Sequence, residues 1–72
     1  MEELTLKDEF IKLGQALKAC GLAESGAEAK QVILDGLVSV NGRVELQRGK
    51  KLYSDDVVTY QGKSIRIKAY GH

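Results

Sequence analysis

Arg43, Arg48, Lys50 and Lys51 fall within nine residues, against a single acid, Glu45. Cations crowded in this way displace counterions from a phosphate backbone, which supplies most sequence-independent affinity for nucleic acid. The same charges would equally well keep strand edges from pairing with another chain. A second anion-seeking feature precedes them: Ser25-Gly26-Ala27 opens a helical pattern. Free N–H groups at a helix start favour an anion, and small residues let a phosphate approach closely. Lys30, one turn on, adds a cation, whereas Glu28 works against binding by placing a carboxylate at the same positive end. Lys12 and Lys18 join this surface if the helix that carries them lies beside the next one. Tyr53, Tyr60 and Tyr70 could stack on bases, although aromatics in short strands more commonly serve packing.

Catalysis has little to draw on. The one histidine is His72, the last residue, and Cys20 falls on an apolar helical face where a free cysteine acts as a small hydrophobe. The chain shows no cysteine or histidine cluster with metal-ligand spacing and no phosphate-cradling glycine motif. Asp55-Asp56 reads as a solvated turn. A non-enzyme is expected, with no metal, no cofactor and no small-molecule substrate.

The elements that must hold these residues can be read locally. Ser25 and Glu28 stand in the Ser-x-x-Glu relation of a capping box, each side chain satisfying an N–H near the other. Ala29, Val32, Ile33 and Leu37 follow at helical spacing as a packing face. Gly36 suits the left-handed residue that ends a helix, so this helix should span about Gly26 to Asp35. Val38 and Val40 alternate with Ser39, and Asn41-Gly42 is a strong signal for a type I′ hairpin turn. Upstream, Met1–Glu3 should be frayed, Leu4–Leu6 a short edge strand, and Phe10–Lys12 an extended lead-in. From Leu13, the positions Leu13, Ala16, Leu17 and Cys20 share a helical face that Gly21 ends. Gly14 weakens a helix interior and belongs in its first turn. Downstream, Val44 and Leu46 precede a basic turn over residues 48–51. Leu52 and Tyr53 lead to a polar turn, Val57–Tyr60 reads as a strand, and Gln61-Gly62-Lys63 turns again. In Ser64–Lys68, Ile65 and Ile67 should point inward and Arg66 and Lys68 outward.

Together these give an α+β domain, two short helices packed on a small, mainly antiparallel sheet. Seventy-two residues with 43% hydrophobic and 29% charged composition suit a single globular domain over 1–72, its core at about 10–70. No apolar run is long enough to span a bilayer and no signal-peptide pattern opens the chain. One cysteine cannot form an internal disulfide, so a cytoplasmic location is the expectation. Net charge is only +1, but residues 1–36 carry four Lys and seven acids while residues 37–72 carry seven Lys or Arg and three acids. Such asymmetry hints at an anionic partner.

The segments Phe10-Ile11-Lys12-Leu13, Gly21-Leu22, Ser25-Gly26, Glu28-Ala29-Lys30, Val38, Val40-Asn41-Gly42, Arg48-Gly49-Lys50-Lys51-Leu52 and Asp56-Val57-Val58 resemble the RNA-binding domain of the small-subunit ribosomal protein S-four superfamily. The tract around Arg48 is similar to its stand-alone bacterial YbcJ/YaaA-like subgroup. The resemblance implies that both helices and the hairpin form the αL motif and lie against structured RNA, ribosomal RNA being one candidate. The implied contact residues are Lys12, Lys18, Ser25, Gly26, Lys30, Asn41, Arg43, Arg48, Lys50 and Lys51, in a chain acting as a monomer. Many family members carry Asp where this chain has Gly14, and a basic residue where it has Gln15 or Gly26. Binding would follow RNA shape and phosphates with little base readout. Two other readings compete: a protein-interaction module such as a ribosome-docking piece without direct RNA contact, and a helix-turn-helix-like DNA binder. The second helix start, Ser25-Gly26-Ala27-Glu28, is too small and too acidic to read base edges in the way the latter requires.

Overall fold

The computed structural model describes residues 2–68, so the expectations for Met1, Tyr70 and His72 lie outside the described residues. The elements in order are β1 (Glu2–Thr5), β2 (Ile11–Lys12), α1 (Leu13–Ala19), α2 (Gly26–Leu34), β3 (Val38–Val40), β4 (Arg43–Val44), β5 (Lys51–Leu52), β6 (Val57–Tyr60) and β7 (Lys63–Lys68). Five strands form one sheet in the order β1-β7-β6-β3-β4, while β2 and β5 make a separate antiparallel ribbon. Within the larger sheet only β1 runs parallel to its neighbour, β7.

Both tight hairpins follow from local sequence. Asn41 and Gly42 sit at φ of 54° and 84°, the left-handed pair that a type I′ turn demands, and this sets Val40 opposite Arg43. Gln61-Gly62 repeats the arrangement at 52° and 77°, pairing Tyr60 with Lys63. The period-2 pattern of β7 is realised as read: Ile65 and Ile67 are buried, Arg66 and Lys68 exposed. Leu13 and Leu17 from α1, Ile33 from α2, Leu52 from β5, and Val38, Val58 and Ile67 from the sheet share one core. The two helices therefore pack on the sheet through leucine and isoleucine side chains with no buried charge among them.

Several local expectations give way to tertiary structure. Glu2 and Glu3, expected to fray, belong to β1, where they lie opposite Ile65 and Arg66. Lys68 pairs with Glu3 at 3.5 Å, and Leu6, just beyond the strand, is buried and donates its N–H to the Lys68 carbonyl at 3.1 Å. Leu37, expected on the packing face of α2, is 56% exposed. The reason is the helix end: Gly36 turns left-handed at φ 75°, so Leu37 has left the helical register that would have carried it inward. Val44 and Leu46 are likewise exposed, and Leu46 lies beyond β4. Tyr60 is buried, which removes it from any stacking role, whereas Tyr53 is half-exposed. The cap of α2 also differs in part. Ser25 Oγ accepts from the Glu28 N–H at 3.1 Å as expected, but the Glu28 carboxylate accepts from the Glu24 N–H at 3.3 Å and not from Ser25.

Candidate nucleic-acid interface

The basic turn over residues 48–51 owes its position to the start of α1. A helix opens with backbone N–H groups that lack intrahelical partners. Here the N–H of Leu13 donates to the Lys50 carbonyl at 2.8 Å, and that of Gly14 to the Arg48 carbonyl at 3.1 Å. Gln15 Oε1 accepts from the Lys12 N–H at 3.3 Å. The turn thus caps the helix, and the helix fixes the turn. The two-residue ribbon continues the attachment, with Ile11 opposite Leu52 and Lys12 opposite Lys51. Leu52 is completely buried, so this side chain nails the basic segment to the core.

From this docking a cleft of about 380 Å³ opens, lined by Lys12, Gly14, Gln15, Lys18, Gly26, Arg48 and Gly49. Three cations and three glycines face it and no acidic residue does. Lys12, Lys18 and Arg48 are exposed, and the one ion pair among the described residues, Lys68 with Glu3, involves none of them. Like charges that line one cleft without a paired carboxylate raise the local concentration of anions. Gly26 is the first residue of α2, whose N-terminal N–H groups add partial positive charge to the same cleft. Glu28 offsets part of that charge from the first turn.

The other expected contact residues take different positions. Ser25 caps α2 and spends its hydroxyl on the Glu28 N–H. Lys30 is exposed one turn beyond Gly26. Lys50 is exposed in the turn beside Arg48, and Lys51 holds its Nζ 4.8 Å from the centre of the Phe10 ring, a cation–π contact. Phe10 in turn meets Tyr53 at 6.1 Å between ring centres. Arg43 and Asn41 are at the β3–β4 hairpin. Asn41 is engaged by the fold itself: its Oδ1 accepts from the Val57 N–H at 2.9 Å and its Nδ2 donates to Asp56 Oδ1 at 3.0 Å. Asp56 also accepts from the Tyr53 N–H at 2.8 Å, so it braces two turns and is more than the solvated residue its sequence context suggests.

These contacts separate the two hairpin residues experimentally. Asn41→Ala should lose about 2–3 kcal/mol of stability, from two hydrogen bonds and a left-handed backbone that alanine resists. Arg43→Ala, with an exposed side chain, should stay within about 0.5 kcal/mol of wild type in the same urea titration. Asn41→Gly should recover the backbone share of the loss.

Gly14, Gln15 and Gly49 line the cleft without having been singled out as contacts from the sequence. The available signal was a glycine inside a helix, which costs about 1 kcal/mol relative to alanine and calls for a packing reason. Cys20 is half-buried, and burial first and the nearby Glu2 second push its thiol pKa up, which disfavours a reactive thiolate. Among the described residues no helix is long and apolar enough to cross a membrane.

A family model described as the S4 domain matches residues 4–68. YbcJ of Escherichia coli (strain K12) is 36% identical over 63 residues, covering 88% of this chain and 90% of that one. The Bacillus subtilis (strain 168) protein called "Probable ribosome maturation protein RlbA" is 39% identical over 59 residues, covering 82% and 83%. The solution structure of YbcJ from E. coli, described as revealing an αL motif involved in RNA-binding, matches with a TM-score of 0.73 over 96% of this chain and 89% of that one.

Proposed function

This chain belongs to the S4 domain family, and from that we propose that it binds structured or double-stranded RNA through the α1–α2 face and the basic turn, without changing the RNA chemically. The observation that carries the reading is the cleft lined by Lys12, Lys18 and Arg48 with no acid among the lining residues. It is roomy enough to admit a phosphate group, and its glycines let a backbone come close. Lys30, Lys50 and Lys51 extend positive charge to either side of it, with Arg43 at the hairpin as an outlying contact. The likeness to a protein whose αL motif is described as involved in RNA-binding supports RNA over DNA. The likeness to a protein named for ribosome maturation favours ribosomal RNA, met in the cytoplasm, as the partner.

Recognition of this kind reads phosphate spacing and groove shape, so affinity should fall steeply with salt. Fluorescent structured RNA and a matched DNA duplex titrated across a salt series test it. The expected result is a preference for RNA and a log–log slope of magnitude about 2 to 3 or more, from at least three phosphate contacts at roughly 0.7–0.9 each. Equal affinity for the DNA duplex would favour the helix-turn-helix reading. Folded protein that binds neither at low salt would leave a protein-docking role.

A further inference from the structure

Gly14 occupies the second position of α1, where its φ is negative and nothing in the backbone calls for glycine. What it faces explains it. A Cβ built there would stand 2.7 Å from Arg48 Cγ and 3.3 Å from Arg48 Cδ, closer than such atoms pack, with the Arg48 carbonyl at 3.7 Å. The aliphatic arm of Arg48 therefore lies directly across the bare α-carbon of Gly14, and both residues line the same cleft. The carbonyl of Arg48 is fixed by the Gly14 N–H at 3.1 Å, which leaves the side chain as the part that must yield.

Resting on the RNA-binding reading above, we infer that Gly14 is a positioning residue: its missing side chain seats the Arg48 arm against α1 and aims the guanidinium into the cleft beside Lys12 and Lys18 to hold an RNA phosphate. Any larger residue at 14 displaces the arm from that seat. The clash is with Arg48 Cγ, near the root of an exposed side chain, and rotation about χ1 relieves it by swinging the whole arm out of its seat, so the cleft loses one aimed cation. Binding and stability should then move in opposite directions, which separates a positioning role from a structural one.

The test compares wild type, Gly14→Ala, Arg48→Ala and the double variant by thermal melting and by titration of a fluorescent structured RNA across a salt series. Gly14→Ala should melt no lower than wild type, since alanine is the better helix former. It should bind RNA about three- to tenfold more weakly, with a salt slope shallower by about one. In the Arg48→Ala background, adding Gly14→Ala should change neither affinity nor slope. Unchanged binding by Gly14→Ala, an equal loss in the Arg48→Ala background, or a lowered melting midpoint would each overturn the inference alone. Wild-type protein that fails to bind RNA would overturn the RNA-binding reading and this inference with it.

Discussion

Reversing the three cations of the cleft together, as Lys12→Glu, Lys18→Glu and Arg48→Glu, is expected to lower RNA affinity by more than a hundredfold. Each counterion-releasing phosphate contact contributes roughly fivefold at physiological ionic strength, so three lost contacts amount to on the order of a hundredfold, and the introduced carboxylates add repulsion. The neutral counterpart, with glutamine at all three positions, should show the hundredfold loss without the added repulsion. Fold should survive, because the three side chains are exposed and surface substitutions of this kind usually fall within about 0.5 kcal/mol. Lys63→Glu with Arg66→Glu, exposed on β7 and away from the cleft lining, lowers net charge by four units against six in the triple variant, and as the control for general charge loss should cost much less. Fluorescence anisotropy at fixed salt reads the whole set. A drop of less than about tenfold in the triple variant would place the binding surface elsewhere.

Leu52→Ala should produce the largest loss of stability relative to the size of the element it sits in. β5 is two residues long and pairs only with the two residues of β2, so its hydrogen bonds alone cannot hold it. Leu52 supplies the rest, completely buried against the core. Truncating a buried leucine costs about 2–5 kcal/mol, against a total of roughly 4–11 kcal/mol for a domain of this size. The melting midpoint should fall by roughly 13–33 °C. Leu46→Ala, the same substitution at a 55% exposed site six residues upstream, should barely move it. A shift below about 5 °C for Leu52→Ala would mean that the ribbon is held by something other than this side chain.

The contrast between these leucines marks what a one-dimensional pattern can and cannot carry. Ser25, Gly36 and Asn41-Gly42 act through backbone a few residues away, so the α2 cap, its end and the β3–β4 hairpin were legible. The edge strand expected at Leu4–Leu6 is present as β1 but begins at Glu2 and ends at Thr5; its bounds were not legible because its partner, β7, lies at the far end of the chain and parallel pairing leaves no turn between them to read. The burial of Leu52 and the exposure of Leu46 depend on which stretch docks on α1, which no local periodicity encodes. For the site, cationic character around residues 43–51 was visible as composition, whereas Lys12 and Lys18 depended on the two helices lying side by side, which the resemblance implied. That Arg48 lies across Gly14 and lines one cleft with Lys12 and Lys18 became visible only with the turn docked on the helix. The resemblance placed Asn41 on the contact surface, while its bonds to Val57 and Asp56, remote in sequence, were not legible in the local pattern.

The two hydrogen bonds from α1 to the carbonyls of Arg48 and Lys50 set the character of recognition as well as its location. A loop free to wander would have to surrender backbone entropy of roughly 1–2 kcal/mol per residue on meeting a ligand. Here that ordering takes place when the protein folds, since the loop cannot leave without uncapping the helix. Only the outer portions of the lysine and arginine side chains remain to be immobilised. A surface so fixed discriminates by rigidity: it cannot mould itself to a poorly fitting RNA, and the RNA must bring its phosphates to the geometry already present. Mismatched partners should accordingly be rejected through fast dissociation, with encounter rates governed by charge and left nearly the same for all of them.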